Sequence, residues 1–450
     1  MGNPAVGQCR IGDKRRTHRA VHLGAQMAAD PGAGLPGQTQ SWGDLKAAYR
    51  LLHEDDVTHY ALSLPHWQHT WQRAEHIDGP VLFIQDGSQL DFTLRQARGL
   101  GRIGDDKGQG LLIHTTLAVQ PGTSPMILGL AHQLVWVRED EPRKGRETRT
   151  QRTRRSKESD HWFGALDAIG RVPTKACWVS VGDRESDIFQ YWQRAKARGW
   201  ECLLRLVQDR RILRDDDSLD HLHSCVARLV PQAYQVMSLR SRPDQPARTA
   251  KLSLAWTRMR ILPPRNDPTL CHGSPLPVWV LHVWEQTAPV DVKPLEWLLL
   301  STLPIEDAEQ ARERALWYRH RWLIEQYHKA LKTGCRMESS QLRQGAALTR
   351  LLGLLSIVAV RLLQVESTAR SVPDLPAARV VDAQLLEFVC QLSHLAPTTM
   401  TVYQFWREVA RYGGFLGRKG DGEPGWQTPW RGWQYLYPRF EGYLLGKQCG

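Results

Sequence analysis

The chain has 450 residues, of which 42% are hydrophobic, so it can bury a sizeable core and is expected to divide into two or three domains. Its net charge of +12 favours a polyanionic partner such as nucleic acid, although a membrane surface or a simple need for solubility also explains a basic balance. The eight cysteines include no CxxC pair, which argues against common metal and redox motifs and favours reduced thiols in a cytoplasmic protein.

The N-terminal region, residues 8–70, has helical periodicity that is interrupted by the glycine- and proline-rich segment DPGAGLPG. Its first helix carries a basic cluster made of Lys14, Arg15, Arg16 and Arg19. Such a cluster either contacts a phosphate backbone or forms a solvated basic face, and the sequence alone leaves both interpretations open. The region is expected to be a small helical module.

Apolar runs rich in branched residues follow from residue 80. The runs at 80–86, 110–119 and 126–137 predict three successive strands of a meander. The next segment, 141–160, contains eight Lys or Arg residues and has no apolar periodicity. It predicts a mobile basic loop, which either follows a phosphate backbone or is simply solvated.

Helices and strands alternate in the next part of the chain. Predicted helices beginning near His161 and Ser186 alternate with predicted strands at 176–183 and 200–208. This alternation predicts parallel strands with helices on the faces of the sheet. Residues 209–300 return to strand-like texture with proline-rich turns, which predicts an inserted antiparallel subdomain.

The remainder of the chain is predicted to be helical. Helical periodicity runs from Pro304 to about residue 370, and a linker, SVPDLPAARVV, then leads to a final helical segment. The most apolar run, LLGLLSIVAV, is bounded by Arg350 and Arg361 and is far shorter than the roughly 20 residues that a membrane span needs. It predicts a buried helix of a soluble fold, and no membrane partner is expected.

Two aspartates follow predicted buried strands. Asp86 ends the run VLFIQD, and Asp183 ends the run CWVSVGD. Groups at the carboxyl ends of strands line the crevice in which α/β proteins bind ligands, although a single aspartate there is more often a turn or helix-cap residue. Two such residues together predict a candidate acidic site.

A helix predicted over residues 318–332, YRHRWLIEQYHKALK, adds a third acid. At about 100° per residue, Glu325 shares one face, about 100° wide, with aromatic and basic side chains. These neighbours are Tyr318, Arg321, Trp322, Lys329 and Lys332. The opposite face is apolar except for His320, for which the pattern suggests no function. The polar face is either a solvated surface with ion pairs worth about 0.2 to 0.5 kcal/mol each, or a site that binds phosphate through the bases and a divalent metal through Glu325.

The residues of this helix resemble a known signature. Tyr318, Arg321, Glu325 and Lys332 have the Y-(2)-R-(3)-E-(6)-K spacing of bacterial cut-and-paste transposases of the insertion-sequence-four family, the branch typified by the transposon-five transposase. The segments VLFIQDGSQLDF and VSVGDRESDIF resemble the two aspartate segments of that family. The similarity extends over nearly the whole chain and is weakest between residues 209 and 290.

The resemblance implies an α/β fold with three domains. Its centre would be an RNase H-like mixed-sheet core with an inserted antiparallel β subdomain, between helical N-terminal and C-terminal domains. Residues 1–70 would form the DNA-binding domain and residues 371–450 the dimerisation domain. Residues 71–370 would form the catalytic domain, with the insertion at about 209–300.

The resemblance also assigns roles to individual residues. Asp86, Asp183 and Glu325 would form a DDE triad that binds two Mg²⁺ ions, for which Mn²⁺ can substitute. Trp297 would stack on a base displaced from the duplex, with a core aromatic of an apolar strand as the alternative. The further DNA contacts that the resemblance implies are Tyr318, Arg321, Lys332, Arg205, His328 and Lys329, and those of the basic N-terminal segment are Arg15, Arg16 and Arg19.

The expected activity is Mg²⁺-dependent cleavage of transposon ends through a DNA hairpin, followed by insertion into target DNA. A homodimer that binds double-stranded inverted repeats and target DNA would carry it out, in the cytoplasm of a bacterium and associated with the nucleoid. Two alternatives remain. A related RNase H-like nuclease would not need Trp297, and a non-catalytic DNA-binding transposition inhibitor is disfavoured by the presence of all three carboxylates.

Overall fold

The computed structural model describes residues 6–105, 107–138, 160–239, 248–267, 269–418 and 421–449. The chain forms two compact units. The first unit contains Met1–Ala74, Gly87–Arg154 and Leu323–Gly450, and the second contains Glu75–Asp86 and Arg155–Trp322. The basic loop predicted at 141–160 lies outside the described residues, apart from its last residue.

The helices and strands are numbered in chain order. The α-helices are α1 Lys14–Ala29, α2 Leu35–Gln38, α3 Trp42–His53, α4 His59–Glu75, α5 His161–Ile169, α6 Phe189–Ala197, α7 Leu222–Ala227, α8 Ala308–Arg319, α9 Trp322–Lys329, α10 Gly345–Ser371, α11 Ala383–Ser393, α12 Val402–Tyr412 and α13 Gln427–Cys449. The strands are β1 Pro80–Asp91, β2 Gly101–Ile103, β3 Gly108–Gln120, β4 Met126–Trp136, β5 Cys177–Gly182, β6 Glu201–Arg205, β7 Arg211–Leu213, β8 Leu219–His221, β9 Ala233–Leu239, β10 Arg248–Ile261, β11 Leu276–Glu285 and β12 Glu296–Ser301.

Two of the N-terminal helices of the first unit, α1 and α3, begin at capping residues. The Asp13 side chain accepts a hydrogen bond from the Arg15 backbone N–H at the start of α1, and the Ser41 side chain accepts one from the Asp44 backbone N–H at the start of α3. Such caps satisfy backbone donors that the helix itself leaves without partners. The predicted helical character of this region is confirmed, and α2 is a single turn that overlaps the end of the predicted break.

The sheet of the first unit is antiparallel around β3. This strand pairs with β2 on one stretch and with β4 along most of its length, from Leu112↔Trp136 to Gln120↔Met126. The strands predicted at 110–119 and 126–137 are therefore confirmed. The residues of β3 from Gly110 to Val119 are all buried, which explains their nearly continuous apolar character.

The C-terminal part of the first unit is helical, as predicted. Helix α10 is the one helix in the described part of the chain that is long and apolar enough to cross a membrane, yet 78% of its most apolar stretch is buried inside the protein. It is a core helix. Helices α11 to α13 form a separate apolar cluster around Phe388, Phe405 and Phe440.

The second unit contains a mixed sheet with the strand order β1-β5-β6-β12-β11-β10-β7-β8, and β9 also pairs with β10. Strands β1, β5 and β6 are parallel, whereas β12 runs antiparallel to β6 and the pairs beyond it are antiparallel. Helices α5 and α6 lie between the parallel strands in the sequence. This arrangement confirms the predicted parallel core with an antiparallel insertion.

Strand β1 is longer than the sequence predicted. It continues beyond Asp86 to Asp91, so the prediction that the strand ends at Asp86 is wrong. The pair Asp86-Gly87 has the composition of a turn, but Leu90 is buried and the backbone N–H of Phe92, just after the strand, donates to the Gln109 carbonyl at 2.9 Å. Strand pairing therefore outweighs the local turn preference.

Candidate active site

Asp86 and Asp183 occupy corresponding positions on neighbouring parallel strands of the second unit. The last registered pair of β1 and β5 is Ile84↔Val181, and each aspartate lies two residues beyond it. Asp183 follows the last residue of β5, where its side chain accepts a hydrogen bond from the Glu185 backbone N–H at 2.9 Å. The register thus places two carboxylates side by side at the end of β5.

Close packing fixes the backbone that leads to Asp183. A methyl group on Gly182 would lie 2.6 Å from Ser186 Oγ and 2.7 Å from Trp162 Cζ3. Only a residue without a Cβ fits in that space. The turn that presents Asp183 therefore depends on the glycine before it.

A buried polar cluster joins the same two strands to α6, one position before Asp86. Gln85 Nε2 donates to Ser180 Oγ at 3.1 Å and to the Tyr191 hydroxyl at 2.8 Å, and the two hydroxyls are 2.7 Å apart. The side chains of Gln85, Ser180 and Tyr191 are buried. These directional contacts hold β1 and β5 in register next to the two aspartates.

Arg321 forms an ion pair with Asp86. Its Nη1 lies 3.0 Å from Asp86 Oδ2, and the two side chains are only 19% and 18% exposed. A charge-assisted hydrogen bond of this kind is stronger than one between neutral groups. The Asp86 carboxylate thus already binds a cationic group in this structure.

Tyr318 is the centre of a second set of contacts in the same unit. Its ring meets the half-buried ring of Trp297 edge to face, with centroids 5.1 Å apart. Arg205 lies near enough to the Tyr318 side chain to affect its pKa, and Arg205 Nη2 donates to the Glu296 carbonyl at 2.8 Å. Burial raises the pKa of Tyr318, and the nearby Arg321 and Arg205 act in the opposite direction.

Six predicted site residues therefore meet within the second unit. They are Asp86, Asp183, Arg205, Trp297, Tyr318 and Arg321, and Asp183 lies near enough to Tyr318 to raise its pKa. Two carboxylates, two guanidinium groups and two aromatic rings form one cluster. Such a cluster can bind cations through the acids, phosphate through the bases, and a planar ring against Trp297.

The segment 318–332 is not a single helix, so the prediction of one continuous helical face is wrong. Helix α8 ends at Arg319, and the Arg321 backbone N–H donates to the Tyr318 carbonyl at 3.0 Å, a shorter loop of chain than an α-helix closes. Helix α9 then begins anew, and a π-helix follows at Ala330–Gly334. Tyr318 and Arg321 consequently lie on different elements from Glu325.

The remaining predicted residues of this segment belong to the first unit. Glu325 is half-buried on α9, Lys329 is exposed at its end, and Lys332 Nζ lies 3.9 Å from Glu338 Oε1. His328 is buried, with Nε2 3.3 Å from Thr115 Oγ1. Within α9, Glu325 and Lys329 keep the predicted spacing of four residues.

His320, for which the sequence suggested no role, is also buried. Its backbone N–H donates to the carbonyls of Leu316 and Trp317 at the end of α8. The position among apolar residues that the helical pattern gave it therefore agrees with its burial.

The basic N-terminal residues differ in their surroundings. Arg15 is exposed at the start of α1. Arg16 pairs with Asp56 at 2.7 Å and with Glu54 at 2.9 Å, and Arg19 pairs with Asp44 at 2.8 Å. Because these pairs are partly exposed, each contributes little to stability and is open to competition from phosphate.

Sequence reasoning missed an ion pair close to Asp183. Asp187 and Arg210 are both buried, and Arg210 Nε donates to Asp187 Oδ1 at 2.9 Å while its guanidinium lies 4.5 Å from the Trp192 ring centroid. Asp187 also accepts from the backbone N–H groups of Val207 and Gln208. The ion pair fixes the position of Val207 and Gln208, which follow Arg205 closely in the sequence. No sequence motif identifies the pair.

The donor chemistry of the two aspartates fits a hard divalent cation. Carboxylate oxygens are the ligands that Mg²⁺ prefers, and the ion usually keeps several waters or phosphate oxygens. Within the described ranges, no three His, Cys, Asp or Glu side chains are grouped as metal ligands. The second unit therefore supplies two carboxylates, and further ligands have to come from water, substrate or another acid.

Three family models match successive parts of the chain. Residues 3–57 match the transposase DNA-binding family, residues 115–361 the transposase DDE domain, and residues 357–446 the transposase Tn5 dimerisation domain. The DDE match covers more than half of the chain and includes Asp183 and Glu325, whereas Asp86 precedes it. Together with the mixed sheet and helical ends, it confirms the predicted RNase H-like α/β fold class.

Proposed function

The chain belongs to the Tn5-like DDE transposases, with DNA as its partner and a dimerisation domain of its own, and from this premise we propose that it is a cut-and-paste transposase with a hairpin intermediate. The observation that carries the proposal is the cluster of Asp86, Asp183, Arg205, Trp297, Tyr318 and Arg321 in the second unit. The substrates are the inverted repeats at the ends of a mobile element and a target duplex.

We assign Asp86, Asp183 and Glu325 as the three catalytic acids. When bound to them, two Mg²⁺ ions, or Mn²⁺ in their place, would supply charge stabilisation for an in-line phosphoryl displacement. Arg321 is held at Asp86 and would exchange that carboxylate for a phosphate, since guanidinium groups can bind both. Arg205 and Tyr318 would hold the neighbouring phosphate.

The proposed reaction proceeds by successive displacements at phosphorus. Water first hydrolyses one strand at the element end and leaves a 3′-hydroxyl. This hydroxyl attacks the opposite strand, forms a hairpin and releases flanking DNA, and a second water opens the hairpin. The 3′-hydroxyl finally attacks a phosphodiester of the target, which joins element to target and releases a target 3′-hydroxyl.

Trp297 suits the hairpin step. A tight hairpin requires a base to leave the stack at a cost of a few kcal/mol, and an aromatic platform returns about 1 to 3 kcal/mol by stacking. The ring of Trp297 is half-buried and braced from the side by Tyr318, which leaves part of it accessible. A planar base can stack on that part.

Further roles follow from the family. The helical N-terminal region, residues 1–70 with Arg15, Arg16 and Arg19, would recognise the element ends. Residues 71–370 would carry the catalytic core, in which Lys329 and Lys332 add DNA contacts, whereas His328 is buried against Thr115 and is not assigned one. Residues 371–450 would form the dimer contact of the synaptic complex, and the protein would act in the bacterial cytoplasm at the nucleoid.

A cleavage assay tests the catalytic assignment. Full-length protein is incubated with Mg²⁺ and duplexes that carry the inverted repeats flanking its coding region, and the products are nicks followed by hairpins. Asp183→Asn is expected to abolish both products while a gel-shift assay still shows end binding. The control is Asp216→Asn, an exposed aspartate in the turn between β7 and β8. Nicking by Asp183→Asn at the rate of the control would refute the assignment.

A second variant tests the hairpin step. Trp297→Ala is expected to slow hairpin formation by about tenfold or more, the equivalent of the lost stacking, and to affect first-strand nicking much less. Trp297→Phe keeps a stacking surface and is expected to lie between the two. Equal loss of nicking and hairpin formation in Trp297→Ala would show that the ring only packs against Tyr318.

A further inference from the structure

The amide of Gln133 on β4 is a buried junction in the first unit. The side chain is 2% exposed. Its Nε2 donates to Thr115 Oγ1 at 3.1 Å and to the Tyr327 hydroxyl at 3.0 Å, and its Oε1 accepts from Ser356 Oγ at 2.7 Å and lies 3.0 Å from His59 Nε2. A glutamine amide has two donors and two acceptor sites, so all four are used.

The four partners of Gln133 come from four other elements. Thr115 lies on β3, Tyr327 on α9, Ser356 on α10 and His59 on α4. Burial lowers the pKa of His59 to about 4, so its ring is neutral near pH 7 and its Nε2–H donates to Gln133. A network whose members are all satisfied is rigid and specifies one arrangement of the elements that it joins.

Helix α9 is attached to this junction by two consecutive residues. Tyr327 is fully buried and bonds Gln133 directly. His328 is buried as well, and its Nε2 contacts Thr115 Oγ1, which is the other group that Gln133 binds. Glu325 lies two residues before Tyr327 on the same helix.

The length of α9 makes these attachments important. The helix has eight residues and continues into a π-helix, whereas isolated helices shorter than about 12 residues are marginal in water. Its rotation about its own axis is therefore set by what its buried side chains contact. Two hydrogen-bonded residues in succession fix both that rotation and the depth of the helix.

We propose that Gln133 is a positioning residue for Glu325. Its amide sets the orientation of α9 and thereby the direction in which the Glu325 carboxylate points. The inference rests on the proposed function, in which Glu325 is the third catalytic acid. Because a displacement of about 1 Å at a reacting group can slow a reaction by roughly 100-fold, small rotations of this helix should be visible in the rate of cleavage.

Gln133→Met tests the inference, because methionine is unbranched like glutamine but makes none of the four hydrogen bonds. The matched control is Gln364→Met. Gln364 is a buried glutamine of α10 whose Nε2 donates to the carbonyls of Ile127 and Leu128 on the same strand, β4. Both variants remove a buried amide that joins another element to β4, and Gln133→Met alone removes the bond to Tyr327.

Three quantities separate positioning from folding: the single-turnover nicking rate at saturating DNA, the Kd for the element end, and the free energy of unfolding. Gln133→Met is expected to nick about tenfold or more slowly than Gln364→Met, with end binding within about twofold of the wild type. Equal nicking rates in the two variants would overturn the inference. If Gln133→Met does not fold, Tyr327→Phe, which removes one hydroxyl, is expected to slow nicking in the same manner, and wild-type nicking by that variant would also overturn it.

Glu325→Gln in the same assay separates this inference from the proposed function. Nicking by Glu325→Gln at the wild-type rate would refute the assignment of the third acid. Loss of nicking in Glu325→Gln, together with equal rates in Gln133→Met and Gln364→Met, would refute only the positioning role.

Discussion

Buried histidines give the stability of the first unit a dependence on pH that one substitution can test. Burial lowers the pKa of His59 and of His132 from the ordinary value of 6.5 to about 4. At pH values between about 4 and 6.5, these two histidines therefore bind more protons in the unfolded chain than in the folded chain. Lowering the pH from about 6.5 towards 4 therefore stabilises the unfolded state and reduces the free energy of unfolding.

The size of the effect follows from the two pKa values. For one histidine, the free energy of unfolding should fall by about 1.8 kcal/mol between pH 7 and pH 5. His132 is 6% exposed, its ring lies 5.0 Å from the ring of Trp67, and its Nδ1 has no hydrogen-bond partner in the described part of the chain. Phenylalanine keeps the ring contact and does not titrate. His132→Phe should remove about 1.8 kcal/mol of the pH dependence and should be more stable than the wild type at pH 5.

Hydrogen exchange measured by mass spectrometry is a suitable assay, because peptides from α4 and β4 report the opening of this unit alone. Opening free energies are compared at pH 7 and pH 5 after correction for the intrinsic exchange rate. Trp67→Phe is the control, since it weakens the same packing without removing a titrating group and should lower stability equally at both pH values. If His132→Phe loses as much stability as the wild type between pH 7 and pH 5, the reasoning is wrong.

Two further predictions concern the support of Asp183. Arg210→Met leaves Asp187 buried without its counter-charge and is expected to destabilise the protein by about 3 to 5 kcal/mol in urea unfolding. Adding Asp187→Asn removes the unpaired charge and should recover part of that loss. A double variant as unstable as Arg210→Met alone would contradict a charge effect. Gly182→Ala places a methyl group against Ser186 and Trp162, and it is expected to lower the free energy of unfolding by about 1 to 3 kcal/mol and to slow nicking. Gly425→Ala is the control, since no atom lies within 4 Å of the added methyl group, and it should change neither quantity.

The sequence predicted those parts of the fold in which local pattern and tertiary packing agree. The continuous apolar runs that became β1, β5 and β6 are buried on both faces of a parallel sheet, so their composition indicates their position directly. The strands of the insertion are separated by proline-rich turns, a pattern that is typical of antiparallel strands. Asp183 could be located because it directly follows such a run.

The break at His320 and Arg321 could not be predicted from the sequence. The residues from 318 to 332 contain no proline, and their apolar positions continue at helical spacing across the break. The Arg321 backbone N–H bonds to the carbonyl three residues earlier, and not four residues earlier as in an α-helix. This change rotates the following residues about the helix axis, and nothing in the composition of the segment indicates it. The predicted helical face around Glu325 therefore holds only for the residues that lie on α9, which are Trp322, Glu325 and Lys329.

Gln133 illustrates a second limit. In the run MILGLAHQLVWV it is one polar residue in an apolar strand, and the sequence gives no reason to prefer it over His132 beside it. Its partners lie in four separate segments of the chain, from His59 to Ser356. A constraint formed by such distant residues is visible only after the chain has folded.

The hydrogen-bonding groups beside Asp86 and on the helix of Glu325 are neutral, in contrast to the Asp187–Arg210 ion pair near Asp183, and this has a physical reason. Burial raises the pKa of Tyr191, which binds Gln85 beside Asp86, and of Tyr327, which binds Gln133 on the helix of Glu325. Both hydroxyls therefore stay protonated, and the amides do not titrate. In the proposed reaction the acids would exchange partners as cations and phosphates arrive and leave, and a charged support would be pulled by each change of charge. Amides and hydroxyls keep their hydrogen bonds through these changes, and the carboxylates can be held in one place while the charge around them varies.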